Sequence, residues 1–409
     1  MEKNIMKNTM RKVLVTTWIL LLMAGSFSVY AQQNEKIKMF EEHIIEMRFS
    51  EAGVVQTGKK SPLIERMKFY KTPGVCITVV DNDTILWTKG YGVRIAGKSD
   101  VVTEKTIFQA GSVSKFVTAL IVLHYVEQGI LDLDENINTY LTSWKMPANK
   151  YGKIITLRQL LSHQSGLPGT NFGRDPSKDL PTLPQILNGK NPARNLPAFP
   201  TFSPGTKWSY SNIGYVVIQL ILEDVLHKEF NNIATQIVFE PLHMNSSTFT
   251  YPLPPHWKQH EAWPHENGIP KPAVQDTKAR AQGGLMTTTH DMALLAIEVM
   301  KAYHGTSETI ISQPTVREML TKQAAIPLET FGLPFDMGLG VFLDNSGSSL
   351  SFLHPGQSYP GSAFLIVAFP ETKQAVVIAI NGDKGDQLEL EILATLAEIY
   401  QLPSGQYYK

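Results

Sequence analysis

The chain has 409 residues, of which 43% are hydrophobic and 18% are charged. This composition is typical of a globular protein and is long enough for one large domain or two coupled ones. Lysine and arginine together number 37, and so do aspartate and glutamate, so the charge balance gives no basis for binding nucleic acid and we expect no nucleic-acid partner.

The first 31 residues are predicted to be a cleavable signal peptide. Four basic side chains precede an apolar run from Val13 to about Phe27, and Val29-Tyr30-Ala31 suits a cleavage site after Ala31. The alternative is an uncleaved membrane anchor, which the short apolar run and the missing stop-transfer flank disfavour. We therefore expect a secreted or periplasmic protein that keeps no stable membrane anchor after cleavage.

The segment after the leader begins with a predicted helix and a predicted hairpin. Apolar residues near helical spacing predict an amphipathic helix over residues 35–49. Residues 74–81 and 84–91 are β-branched runs joined by Asn82-Asp83, which predicts a β-hairpin. Cys76 is the single cysteine, so no disulfide can form within the chain and we expect a buried, inert thiol.

The middle of the chain is predicted to be helical. Residues 112–128 are apolar almost all round and end before Gly129, which is typical of a buried helix. Residues 170–206 are rich in proline with little periodicity, and we expect a surface excursion that shapes a pocket and contributes no core. Residues 212–228 return to a strong helical pattern.

The end of the chain returns to strands. Segments 337–343, 361–369 and 373–381 are strand-like, and residues 386–401 follow as a helix. Strands at both ends with helices between them predict an α/β fold, in which one antiparallel sheet is built from distant segments and flanked by helices. The predicted domain covers residues 32–409, with an α/β part at about 35–128 and 286–401 and an inserted helical part at about 129–285.

A serine and a lysine one helical turn apart open the helix predicted at 112–128. Ser112 and Lys115 are spaced to share one helix face, and no other serine in the chain has a lysine three residues later. An amine can take a proton from serine only when it is neutral, and burial at the positive end of a helix lowers the pKa of a lysine. The pair therefore indicates a nucleophilic serine, although a helix start with a solvated lysine is the alternative.

Two further polar segments are candidates for the same site. Tyr210 and Asn212 precede the helix at 212–228, where Tyr210 could relay a proton if nearby cations stabilise its phenolate, and Asn212 could bind a substrate amide. The alternative is that Asn212 only caps this helix. In His354-Pro355-Gly356-Gln357, the glycine would let a substrate approach the backbone closely, and the alternative is a turn with a surface histidine.

These three segments together resemble the motifs of one enzyme superfamily. A serine with lysine three residues on, then Tyr-x-Asn, then His-x-Gly, in this order, is similar to the penicillin-binding protein and class C β-lactamase superfamily. The resemblance runs from about residue 70 to 385. Further matching segments are Phe108–Ser112, Thr156–Leu167, Phe202–Gly205 and Gly283–Ala293.

The resemblance implies a β-lactamase/transpeptidase-like sandwich with an inserted all-helical subdomain. It also implies that Ser112 is the acylated nucleophile, Lys115 its base or electrostatic partner, and Tyr210 a general acid/base. The backbone N–H groups of Ser112 and Gln357 would form the oxyanion hole. The implied substrate-binding residues are Asn212, His354, Gly356 and Gln357.

The third motif departs from the superfamily pattern at two positions. Pro355 stands where β-lactamases and many transpeptidases carry threonine or serine, and proline offers neither a hydroxyl nor an N–H to a substrate carboxylate. His354 stands where many relatives carry lysine, and an imidazole is mostly neutral at pH 7. Both departures favour an esterase, or a peptidase acting on D-amino acid substrates, over an efficient β-lactamase.

The sequence therefore predicts an exported serine hydrolase that acts on amide or ester bonds through an acyl-enzyme. Its expected partner is a small-molecule or short-peptide substrate: a D-amino acid peptide, a β-lactam or an ester. A carboxylesterase of the same family and a non-catalytic sensor of peptidoglycan or β-lactams are the alternatives. No metal or organic cofactor is expected, and the oligomeric state stays open.

Overall fold

The structure is a computed structural model that describes residues 31–50, 53–169, 173–175, 177–272 and 277–403. The predicted signal peptide lies outside the described residues except for Ala31. No helix in the described ranges has the length and apolar character needed to cross a membrane.

The strands and helices of the described residues have the following bounds. The strands are β1 (Ile44–Ser50), β2 (Gly53–Ser61), β3 (Gly74–Asp81), β4 (Thr84–Gly92), β5 (Phe108–Gly111), β6 (His265–Glu266), β7 (Ile269–Pro270), β8 (Leu285–Thr287), β9 (Ala324–Ala325), β10 (Asp336–Met337), β11 (Phe342–Asp344), β12 (Ser351–Ser358), β13 (Ser362–Phe369) and β14 (Gln374–Ile380). The helices are α1 (31–42), α2 (Leu63–Phe69), α3 (Ser114–Glu127), α4 (Leu157–Leu161), α5 (Leu183–Leu187), α6 (Asn212–Leu226), α7 (Phe230–Ala234), α8 (Pro255–Lys258), α9 (Thr289–Tyr303), α10 (Gln313–Met319), α11 (Leu328–Phe331) and α12 (Gly385–Tyr400).

One antiparallel sheet joins the two ends of the chain. Its strand order is β4-β3-β14-β13-β12-β11-β10-β9, so the predicted N-terminal hairpin lies beside the last strand. In that pairing Val80 is opposite Ala375 and Val75 is opposite Ile380. The prediction of an α/β fold with one antiparallel sheet flanked by helices is confirmed.

The central strands β13 and β14 are buried on both faces. Ile366 and Val377 point to the face covered by α9, whereas Leu365 and Ile378 point to the opposite face, covered by α12. Because both faces are covered, the two strands appear in the sequence as continuous apolar runs without polar alternation. Their predicted positions at 361–369 and 373–381 are confirmed.

Two predicted elements are wrong in type or extent. The helix predicted over 35–49 ends at residue 42, and Ile44 begins β1 instead, since its apolar residues pack on α12 while the strand pairs with β2. The strand predicted over 337–343 is two short strands, β10 and β11, separated by a turn in which Gly340 has a φ of 80°.

The proline-rich segment 170–206 was predicted to contribute no core, and this prediction is wrong. A capping box formed by Thr182 and Gln185 starts α5. The helix then buries Leu183 and Leu187 in the main hydrophobic cluster. Five residues are too short a run for periodicity to reveal a helix, which is why the pattern suggested only a loop.

A buried carboxylate anchors α12 to the N-terminal segments. Glu391 is fully buried and accepts hydrogen bonds from Arg66 at 2.7 and 2.8 Å, from the Tyr70 hydroxyl at 2.9 Å and from the Met47 backbone N–H at 2.9 Å. Every one of these donors is far from α12 in sequence. The network therefore fixes the helix that forms one wall of the cavity described below.

We predict that Glu391→Ala lowers the free energy of unfolding by about 3–5 kcal/mol, because the buried Arg66 guanidinium loses both hydrogen bonds to Glu391 and keeps only a long ion pair with Glu46 at 3.7 Å. Urea unfolding of the mature chain measures this change. Glu398→Ala on the same helix is the matched control, since its ion pair with Lys60 is largely exposed and should contribute only about 0.2–1 kcal/mol. Equal losses in the two variants would contradict the anchoring role of Glu391.

Candidate active site

Ser112 lies in the turn between β5 and α3. The strand before it pairs with β8, and the helix after it begins at Ser114, whose hydroxyl donates to the Gly111 carbonyl at 2.6 Å and accepts from the Leu285 N–H at 3.0 Å. These bonds fix the turn from both sides. The helix predicted over 112–128 is confirmed with its start two residues later.

Lys115 is fully buried beneath Ser112. Its Nζ lies 3.1 Å from the Ser112 Oγ and donates to the Gln282 carbonyl at 2.6 Å. Burial lowers the pKa of Lys115 well below its ordinary value of 10.5, because the charged ammonium loses its hydration. The alternative of a solvated lysine at a helix start is therefore wrong, and the amine is held where it can take the serine proton.

Tyr210 completes the immediate surroundings of the serine. Its side chain lines the same cavity as Ser112, and its ring centre lies 4.8 Å from the Lys115 Nζ. Burial raises the pKa of Tyr210 above its ordinary value, and the neighbouring Ser112 side chain lowers it by less. While Lys115 is neutral, it supplies no positive charge to stabilise a phenolate, so the phenol keeps its proton in the resting site.

His354 lies inside the protein on β12, so the alternative of a surface histidine is wrong. Its ring is fully buried, its Nδ1 lies 2.8 Å from the Pro355 carbonyl, and its Nε2 has no hydrogen-bond partner among the described residues. Burial and the nearby Lys115 lower the pKa of His354 to about 3. A neutral ring that donates from Nδ1 leaves Nε2 as a bare acceptor.

Two glycines bring the backbone of β12 against the turn that holds Ser112. A Cβ on Gly356 would lie 2.0 Å from the Ala110 carbonyl oxygen, and a Cβ on Gly111 would lie 2.4 Å from the Gln357 carbonyl oxygen. Any side chain at either position would therefore separate the two segments. Their contact brings the peptide groups of Ser112 and Gln357, the predicted oxyanion-hole donors, into neighbouring backbone segments.

Asn212 is the first residue of α6 and is half-buried. The cap of this helix is Ser211, whose hydroxyl accepts from the Gly214 N–H at 3.0 Å. The alternative that Asn212 only caps the helix is therefore wrong. The structure brings Ser112, Lys115, Tyr210, His354, Gly356 and Gln357 together around one hydroxyl, with Asn212 two residues beyond Tyr210.

Sequence reasoning missed two contributors to this arrangement. The first is the Gln282 carbonyl that binds Lys115, and the second is His163, whose Nδ1 accepts from the Ser211 N–H at 3.1 Å. The His163 ring is fully buried with its centre 4.4 Å from that of Tyr210, and burial lowers its pKa. Both lie in or beside segments that match the superfamily, but a backbone carbonyl and a packing contact leave no residue-type signal.

A cavity of about 670 Å³ opens beside the serine, lined by Ser112, Tyr210 and His354 among others. Its apolar wall includes Trp208, Phe331, Leu333, Phe335, Phe342 and Leu353. No described residue of the segment 170–206 lines it, so the described part of this segment does not shape the pocket as expected. The wall comes instead from α11 and the residues after it, from strands β11 to β13, and from α12.

The fold and this site can be compared with known proteins. A family model described as Beta-lactamase matches residues 63–400. The chain belongs to the Beta-lactamase family. Protein flp of Staphylococcus aureus (strain N315) is 27% identical over 177 residues, covering 43% of this chain and 35% of that protein. Unguisins hydrolase ungD of Aspergillus violaceofuscus is 27% identical over 195 residues, covering 44% of this chain and 32% of that protein.

Two solved structures share the fold. The octameric penicillin-binding protein homologue from Pyrococcus abyssi superposes with a TM-score of 0.70 at 24% identity, over 83% of this chain and 76% of that one. SurE, solved with D-Leu, superposes with a TM-score of 0.68 at 23% identity, over 84% of this chain and 75% of that one. The chain spans about a third of the length of the two sequence relatives, so their activities are not carried over as findings.

We predict that the rate at which a serine-directed phosphonate labels Ser112 rises with pH and levels off well below pH 10.5. The reason is that the buried Lys115 amine, with its lowered pKa, is already neutral there. Lys115→Met should slow labelling about 10²-fold or more, which is the typical contribution of a general base. Mass spectrometry of the labelled mature chain follows both effects.

Lys89→Met, at a largely exposed lysine, is the matched control and should label like the wild type. A labelling rate that climbs only near pH 10.5, or a Lys115→Met variant that labels at the wild-type rate, would exclude Lys115 as the base.

Proposed function

We propose that this protein is an exported serine hydrolase that cleaves ester or amide bonds through an acyl-enzyme on Ser112. The observation that carries the proposal is a buried lysine, 3.1 Å from a serine hydroxyl at the start of a helix. A protein that only binds a ligand has no need of a costly buried amine beside a serine. The word hydrolase in the name of the unguisins relative adds support for this reaction type.

The proposed acylation begins with proton transfer from the Ser112 hydroxyl to the neutral Lys115 amine. The serine oxygen then bonds to the substrate carbonyl carbon, and the resulting oxyanion accepts hydrogen bonds from the Ser112 and Gln357 N–H groups. As the bond to the leaving group breaks, Tyr210 donates its proton to that group. The Lys115 ammonium returns a proton to the phenolate, which restores both residues.

Deacylation follows the same path with water as the nucleophile. The neutral Lys115 amine takes a proton from the water, and the hydroxide oxygen attacks the ester carbonyl carbon. As the bond to Ser112 breaks, the Lys115 ammonium returns the proton to the Ser112 oxygen. Asn212 and the bare Nε2 of His354 are the proposed groups that orient the substrate. The predicted leader supports a place of action outside the cytoplasm, in the periplasm or the medium.

Ester hydrolysis fits this site better than β-lactam hydrolysis. Among the residues that the structure describes, none that lines the cavity is a lysine or an arginine, and His354 is neutral. Pro355 lines the cavity where relatives with carboxylate-bearing substrates have a hydroxyl. A carboxylate entering this apolar cavity would lose its hydration without gaining a charged partner.

We predict that Ser112→Ala abolishes both phosphonate labelling and hydrolysis of a short-chain p-nitrophenyl ester, because the nucleophilic oxygen is removed. Ser99→Ala, at an exposed serine, is the control and should behave like the wild type. Labelling of the Ser112→Ala variant would identify another nucleophile. A stable acyl adduct on the wild type without release of product would favour the non-catalytic sensor over the hydrolase.

We predict that kcat/KM for the p-nitrophenyl ester exceeds that for a chromogenic cephalosporin by about tenfold or more, since one charged hydrogen bond contributes about 1.5–3 kcal/mol. Pro355→Thr, which restores a hydroxyl, should lower the ratio of kcat/KM for the ester to kcat/KM for the cephalosporin. A D-alanyl-D-alanine peptide, assayed beside them, tests the peptidase alternative. Cephalosporin turnover equal to ester turnover in the wild type would contradict the esterase preference.

A further inference from the structure

One end of the cavity is acidic. Four residues of α12 line it, namely Asp386, Glu389, Leu390 and Leu393. Their spacing of three, four and seven residues places them on one face of the helix. This face therefore presents two neighbouring carboxyl groups near the start of the helix and an apolar surface one turn further on.

Glu389 is buried there without a charge partner. Only 4% of its surface is exposed, and its Oε1 has no hydrogen-bond partner among the described residues. Burial, with the nearby Asp386, raises its pKa well above the ordinary value. Two residues later, Glu391 is also buried but accepts hydrogen bonds from Arg66. The fold therefore gives Glu391 a charged partner, whereas Glu389 faces the cavity.

An unpartnered buried carboxyl group is costly unless a ligand supplies the missing partner. The described side chains that line the cavity offer no such partner, because none of them is lysine or arginine and the His354 ring is neutral. The acidic end also adjoins the reaction centre, since Asp386 lines the same cavity as Gln357 and Ser112. A molecule bound at the serine can therefore reach both carboxyl groups.

A cationic ligand with an apolar body fits these observations. Among the described residues, no group of three or more His, Cys, Asp and Glu side chains is placed to hold a metal ion. Two carboxyl groups are enough for a single ammonium, which donates three hydrogen bonds. The apolar lining around them, including Val54, Leu365 and Leu390, suits a hydrocarbon chain.

We propose that Glu389, with Asp386 beside it, binds the ammonium group of the substrate, so that this hydrolase selects amine-bearing esters or amides with an apolar chain. The proposal rests on the proposed function, because it takes the cavity beside Ser112 as the substrate site. The amine binds as an ammonium beside the Glu389 carboxylate, whose proton passes to the amine or to solvent, and an ammonium N–H donates to the free oxygen. The same carboxyl groups would repel a substrate carboxylate.

The test compares n-alkylamines of four to eight carbons with n-alkanols of the same length as competitive inhibitors of p-nitrophenyl ester hydrolysis by the mature chain. We expect the best amine to have an inhibition constant about tenfold or more below that of its matched alcohol. In Glu389→Gln this ratio should fall to near one. Glu398→Gln, the same substitution at an exposed position of α12, should keep the wild-type ratio.

If Glu389→Gln does not fold, Asp386→Asn serves as the second variant. It should also reduce the preference for the amine over its matched alcohol. Equal inhibition by amines and alcohols in the wild type, or an unchanged ratio in Glu389→Gln, would overturn the proposed ammonium site while leaving the hydrolase intact. If the wild type hydrolyses no ester, the proposed function fails, and calorimetric titration with the same amines and alcohols still decides whether Glu389 binds an ammonium group.

Discussion

The chemistry of this protein depends on one buried amine. Lys115 has no exposed surface, contacts the Ser112 hydroxyl and donates to the Gln282 carbonyl. A carbonyl orients the amine but adds no negative charge that would keep it protonated, so desolvation controls its pKa. The apolar helix α3 and the sheet beneath it are therefore part of the site, because they exclude the water that would otherwise solvate an ammonium.

The antiparallel sheet brings the other groups to that amine. The sheet places the third motif on the interior strand β12, which contacts the β5 strand that leads into Ser112, and the close approach of Gly356 to Ala110 sets the distance between the two segments. Tyr210 comes from the residues before α6 and packs on His163. Three segments that lie far apart in sequence thus meet only because the sheet and the helical region form one hydrophobic core.

Much of the fold and the identities of the central site residues could be predicted from the sequence. The runs at β13 and β14, the hairpin β3–β4 and the Ser112–Lys115 spacing each carry a local signal of period or residue type. The switch from helix to strand at Ile44 carries no such signal, because its apolar side chains suit either period and tertiary packing decides. The role of Gln282 also leaves no signal in the sequence, since every residue has a backbone carbonyl.

The acidic end of the cavity shows the same limit of prediction from the sequence. Glu389 and Glu391 look alike in the sequence, as acids within a helix that is otherwise apolar on one face. Only the structure separates them, since Arg66 reaches Glu391 from a distant segment while Glu389 faces the cavity. Which buried charge has a partner is a property of long-range packing, and local patterns do not report it.

The measurement that tests the central claim most directly is an NMR titration of the Lys115 side chain. The mature chain would be labelled with ¹³C at lysine Cε, and the Lys115 signal would be assigned by its loss in Lys115→Met. The account predicts that this signal titrates well below 10.5, so that the amine is neutral when Ser112 reacts. A Lys115 signal that titrates at or above 10.5 would contradict it.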